Sequence, residues 1–85
     1  MNKESNKEYT LKNGGKTKNL VTYIINIVGN ASNLAKILCV SNASITAYEQ
    51  RGYVPAIYAA DIESCTNRKV SCKMVCDEAK AHIKK

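Results

Sequence analysis

Residues 31–50 read ASNLAKILCVSNASITAYEQ, and the spacing of their apolar groups decides the fold. Leu34, Ala35 and Leu38 recur on one side of a short helix from Ala31 to Leu38, with Asn30 as the capping residue ahead of it. A turn follows at Cys39-Val40-Ser41, and Ser41 is a good cap for a second helix, Asn42 to about Gln50, whose inner face is Ile45 and Tyr48. Two short helices joined by a three- to four-residue turn cross at about 90–120°. Such a crossing leaves room for only a small residue on the first helix, and Ala35 stands there. Leu34, Leu38, Val40, Ile45 and Tyr48, in register around it, predict a helix-turn-helix.

The flanks extend the same periodicity. Upstream, Leu20, Tyr23, Ile24 and Ile27 fall at i, i+3, i+4 and i+7, the stripe of an amphipathic helix. Thr17 or Asn19 caps its start, Gly29 suits its end, and Val21, Ile25 and Val28 widen the apolar face enough for two neighbours. Downstream, Arg51-Gly52 stops the helix that begins at Asn42, and Val54-Pro55 opens a fourth helix with proline in its first turn, through roughly Cys65. Its inward residues are Ile57 or Tyr58, Ile62 and Cys65; Asn67 suits a left-handed end, and Val70 is a core plug. Ser71 caps a last helix from Cys72 to about Ile83, with Met74 or Val75, Ala79 and Ile83 as its apolar marks. No strand-like alternation and no internal repeat is visible, so the domain is expected to be all-α, with four to five helices.

Residues 1–18 differ in kind. They hold five lysines, a Gly14-Gly15 pair and only Met1, Tyr9 and Leu11 as sizeable apolar groups. Too little surface is available there to offset ordering entropy. The expected organisation is a flexible basic arm over 1–18 and a helical domain over 19–85. With 85 residues, a chain buries only about 60% of its unfolded surface, which excludes several domains and most deep-cleft enzymes. Thirteen Lys and Arg against seven Asp and Glu leave a net charge of +6, which favours a polyanionic partner. No run approaches the roughly 20 apolar residues of a membrane span. The start, MNKESNKEYT, lacks the apolar stretch of a secretory signal, so the expected address is the cytoplasm, with reduced thiols.

The stretch NLAKILCVSNASITAYEQRGYVPAIYAADIESCTNRKVS resembles the small Cro-type phage and prophage repressors, and in particular the YdaS-like group of Cro-like regulators. The matching residues are Leu34, Ala35, Leu38, Val40, Ser41, Ile45, Tyr48, Glu49, Gly52, Val54, Pro55, Ile62, Glu63, Thr66 and Val70, within a likeness spanning about residues 20–71. The resemblance implies a compact lambda-repressor-like DNA-binding domain, a double-stranded DNA operator as partner and a transcriptional repressor's role. The chain departs from the pattern twice. The turn position usually held by glycine is Cys39, where a left-handed backbone costs about 1–2 kcal/mol. The outward middle of the recognition helix, often Arg or Gln, is Ala47.

On a helix entering the major groove, the N-terminal and outward residues meet base edges. These are Asn42, Ala43, Ser44, Thr46, Ala47 and Gln50. Asn and Gln pair bidentately with adenine, and alanine and threonine methyls pack on thymine methyls, so an A·T-leaning half-site is expected. The expected phosphate contacts are Asn30, Asn33, Lys36, Ser41, Arg51 and Tyr53. One recognition helix buries too little surface for tight selection, so a homodimer on DNA is expected. The last helix, through Met74, Val75, Ala79 and Ile83, either supplies the dimer surface or closes the core.

Other chemistries fit less well. Cys72 and Cys76 with His82, approached by Cys65, are a weak version of a zinc site; free cysteines are more often small apolar fillers, and Cys39 reads as a turn and core residue. With one histidine, no nucleophile–base arrangement is built, and Asp61, Glu63, Asp77 and Glu78 read as solvated faces. No enzyme activity, metal, cofactor, small-molecule substrate or membrane is expected. The alternative to DNA reading is a protein-interaction module, antitoxin-like or adaptor, that keeps the fold but has weak or no specific base reading.

Overall fold

The computed structural model describes residues 8–83, with the side chain of Ile83 outside that description. Five α-helices carry the fold among the described residues: α1 (Leu20–Val28), α2 (Ala31–Leu38), α3 (Asn42–Arg51), α4 (Ala59–Cys65) and α5 (Cys72–Ile83). Four of the five starts carry a side-chain cap. Asn19 accepts from the Thr22 N–H, Asn30 from that of Asn33, and Ser41 from that of Ser44, each satisfying a donor that the first helical turn leaves unpaired. Ser71 does the same for Met74 at 3.2 Å. Gly29 (φ 117°) and Gly52 (φ 92°) close α1 and α3.

The core is built from one stripe of each element. Leu20, Val21 and Ile24 of α1 meet Leu34, Ala35 and Leu38 of α2, Ile45 of α3, and Ala59 and Ile62 of α4. Val54 and Val70 plug the connections, and both are fully buried. Val75 and Ala79 of α5 are also buried. The last helix therefore closes the core, and those two residues cannot be a dimer surface.

The fourth helix begins later than its proline suggests. A single 3-10 turn, Ala56–Tyr58, precedes α4. Of the two residues weighed for the inner face, Tyr58 packs on the core while Ile57 is 80% exposed. At the other end of α4, Thr66 is the buried polar side chain. Its hydroxyl donates to the Ile62 carbonyl (2.7 Å) and accepts from the Val70 N–H (3.1 Å). That pair of bonds holds a tight reversal in which Asn67 and Arg68 both adopt positive φ.

The reading of residues 1–18 as a flexible arm needs correction over its described part. Tyr9–Thr10 (β1) and Lys16–Thr17 (β2) pair antiparallel in a small hairpin, with Tyr9 opposite Thr17. The Tyr9 ring stacks on Tyr23 of α1, centroids 4.7 Å apart and planes 15° apart. The Lys12 N–H donates to Asn26 Oδ1 (2.8 Å), and its ammonium group donates to the Ile27 carbonyl (3.1 Å) at the negative end of α1. Counting apolar residues missed this because one tyrosine face against another supplies the anchoring area. Residues 1–7 of the expected arm, and Lys84 and Lys85, lie outside the described residues. No helix among the described residues is long and apolar enough to cross a membrane.

Candidate nucleic-acid interface

The turn between α2 and α3 determines how α3 is presented. Cys39 takes the left-handed conformation (φ 60°, ψ 43°), and its N–H and that of Val40 close back on the last carbonyls of α2. The thiol is exposed, so Cys39 serves the turn and not the core. Behind the turn, Ile45 is fully buried and Tyr48 packs against the core with its ring near Tyr58. A second brace comes from α1. Thr22 Oγ1 donates to Glu49 Oε2 (2.9 Å), and Asn19 Nδ2 donates to the Glu49 carbonyl (2.8 Å). The start of α1 is thereby tied to the end of α3.

With that face held, the opposite one is open. Asn42, Ala43, Thr46 and Gln50 are exposed, while Ser44 and Ala47 are half-buried. Ser44 is also engaged: its hydroxyl lies 3.2 Å from that of Ser41. The outward edge of α3 is thus short, polar and uncharged. Lys36 on α2 and Arg51 at the end of α3 are exposed, and neither enters an ion pair among the described residues.

The other expected phosphate contacts divide. Asn30 accepts from the Asn33 N–H (2.8 Å), and Asn33 Nδ2 donates to the Val28 carbonyl (2.9 Å), so both side chains first close the α1–α2 turn. Gly29 sits inside that turn, where a Cβ would lie 2.9 Å from Asn33 Nδ2. Tyr53 is half-buried, its ring stacked on His82 of α5 with centroids 5.1 Å apart. One polar group of this surface escaped the sequence reading. Ser32, exposed in the first turn of α2, has its Oγ 3.5 Å from Asn42 Nδ2. Its only advance signal was a position at which the two helices of the motif converge.

The cysteines and acids make a separate neighbourhood around α4 and α5. The Cys72 thiol donates to Glu63 Oε1 (3.2 Å), and the Cys65 thiol to the Ile62 carbonyl of its own helix (3.5 Å). The bond to Glu63 and partial burial push the Cys72 thiol up, and burial does the same for Cys65, which favours the protonated forms over metal-binding thiolates. His82 pairs with Glu78 (3.3 Å), and among the described residues no three His, Cys, Asp or Glu side chains gather as a metal site requires. Glu63, read as part of a solvated face, is half-buried instead. It lines an open groove of about 330 Å³ with Ala60, Ser64, Asn67 and Arg68.

The braced helix and the turn before it lie inside the region that a known family model covers. The model of the family described as bacterial toxin YdaS matches residues 21–77, about two thirds of the chain. The chain belongs to the YdaS family. The match begins in α1, runs through α2, α3 and α4 and ends in the middle of α5, so it takes in every helix that builds the YdaS core here. The hairpin lies outside it. No curated protein and no solved structure matches the chain significantly.

Proposed function

We propose that this YdaS-family protein is a sequence-specific DNA-binding regulator, a Cro-like repressor that lays α3 in the major groove of operator DNA. The observation that carries the reading is the exposed row Asn42, Thr46 and Gln50 on a helix whose other side is anchored by Ile45 and by Glu49. The Asn42 and Gln50 amides carry the paired donor and acceptor that adenine recognition needs, and the Thr46 methyl suits a thymine methyl. Lys36 and Arg51 flank the row and supply charge for the phosphates. The protein acts in the cytoplasm by binding, without catalysis or cofactor, and occupies two-fold sites as a homodimer, because a single recognition helix buries too little area for tight selection.

Selection of duplexes from a randomised pool, followed by binding at several salt concentrations, tests this. An enriched inverted repeat with A·T-leaning half-sites is the expected result, with affinity falling as salt rises and a log–log slope of about −0.9 per neutralised phosphate. Weak binding that is indifferent to both sequence and salt would refute it.

A second reading, a protein-interaction module of antitoxin-like or adaptor type, draws on two observations. Ala47 occupies the middle of α3 with a short, half-buried side chain, and the matched family is described as a toxin. Co-purification of a stoichiometric protein partner, with no retention on heparin, is the result that favours it.

A further inference from the structure

We propose that the N-terminal hairpin is a second DNA-backbone contact, with Lys16 and Lys18 gripping phosphates beyond the end of the α3 footprint. This rests on the DNA-binding reading above and carries the contact surface outside the matched family region, residues 21–77. A two-stranded ribbon this short does not hold together by itself in water. Here it is fixed to α1 by the Tyr9–Tyr23 stack and by the two bonds from Lys12 to Asn26 and Ile27. Lys12 is thereby occupied within the fold. Lys16 and Lys18 are exposed and enter no ion pair among the described residues. Thr17, between them, is half-buried, and its Oγ1 accepts from the Asn19 N–H (3.1 Å).

The junction between β2 and α1 sets where these charges stand. Asn19 Nδ2 donates to the Glu49 carbonyl (2.8 Å), so the chain leaving β2 meets the last turn of α3. Lys18, next to Asn19, therefore emerges at the same corner as Arg51, the last residue of α3. The charge is distributed to match. Residues 8–51 carry five Lys and Arg against two acids, Glu8 and Glu49, and the Glu49 carboxylate is already bonded to Thr22. Glu8 is the acid left exposed on this half. Residues 52–83 carry four basic and four acidic side chains, with Lys73 paired to Asp77 at 3.2 Å. The positive excess of the described residues thus lies on the half that bears the hairpin and α3. Cations on a docked ribbon also lose less conformational freedom on meeting phosphates than cations on a free arm, because the fold has ordered their backbone beforehand.

The test uses the full chain and the duplex that the wild-type protein enriches from a randomised pool, titrated at several salt concentrations. The double variant Lys16→Gln/Lys18→Gln is expected to make the log–log salt slope shallower by about 0.9 for each lysine. It should weaken binding to enriched and random duplex by the same factor, with the enriched sequence and the thermal midpoint unchanged. Lys16→Arg/Lys18→Arg, which keeps both charges, keeps the wild-type slope. Lys69→Gln/Lys80→Gln removes the same charge from the other half and should leave the slope where it was. A hairpin variant with an unchanged slope, or a Lys69 and Lys80 variant whose slope shifts as much, overturns the inference while leaving DNA binding intact. A wild-type chain that enriches no duplex overturns the DNA-binding reading itself, and this inference with it.

Discussion

The Thr22 hydroxyl of α1 donates to the Glu49 carboxylate of α3 across 2.9 Å, and the carbonyl of the same glutamate accepts from Asn19, the cap of α1. One residue thus ties the start of α1 to the end of α3. Hydrogen bonds to a charged partner contribute about 1.5–3 kcal/mol when half-buried, more than an exposed pair would. Glu49→Ala is expected to destabilise the fold by about 1–2 kcal/mol, read from the denaturant midpoint. Thr22→Ala removes the same side-chain bond and should cost a comparable amount, because the Asn19 bond to the Glu49 backbone carbonyl survives either substitution. Equal stability of all three proteins would show that the tie contributes nothing.

Cys39 sits left-handed at the turn between α2 and α3. An L side chain there costs about 1–2 kcal/mol, part of which glycine returns through its looser unfolded chain. Cys39→Gly should therefore raise stability by roughly 1 kcal/mol, and Cys39→Val should lower it, since β-branching aggravates positive φ. Thermal midpoints moving in the opposite order would contradict this account of the turn.

Thr66 is a fully buried hydroxyl between α4 and α5, bonded on both sides. Thr66→Val keeps the shape but leaves the Val70 N–H without its partner in an apolar site, at a cost of about 1–3 kcal/mol. Thr66→Ser keeps the hydroxyl and should lose only the methyl packing, a smaller effect. Hydrogen exchange at the Val70 amide distinguishes the two: fast in Thr66→Val, still protected in Thr66→Ser.

The hairpin is expected to respond to alkaline pH. Burial, with the nearby Glu78 carboxylate and Tyr23 adding to it, raises the Tyr9 phenol above its ordinary value near 10. The folded chain therefore keeps this proton at a pH where the unfolded chain has released it. The contribution to stability is fully present below about pH 10 and is lost as pH climbs through the raised folded value. Unfolding free energy should fall in that window, and Tyr9→Phe should remove the part of the slope that belongs to this phenol. A Tyr9→Phe slope identical to wild type would mean that the ring is not held as the stack with Tyr23 requires.

Much of the architecture was legible in the chain. The apolar periodicity of residues 20–28, the spacing around Ala35, the caps Asn30, Ser41 and Ser71, and the plug Val70 each predict a local outcome that the structure contains. The row Asn42, Thr46 and Gln50 was readable as outward for the same reason: once Ile45 is inside, the helical repeat places them on the far side. Less legible were contacts made by single side chains over long sequence separations. Tyr9 on Tyr23, Glu49 with Thr22 and Ser32 with Asn42 leave no periodic mark, because each joins two elements whose relative placement the chain does not spell out.

The positions of α1, α2, α3 and α5 and their caps followed from the order of residues alone, since a 3.6-residue repeat and capping chemistry act within a few residues. Three matters waited for the assembled fold. They were the docking of the hairpin on α1, the burial of Val75 and Ala79 that makes α5 a core lid, and the exposure of Ile57 on the turn before α4. All three depend on which surfaces meet in space, and a buried face looks the same in sequence whether it meets its own core or a second molecule.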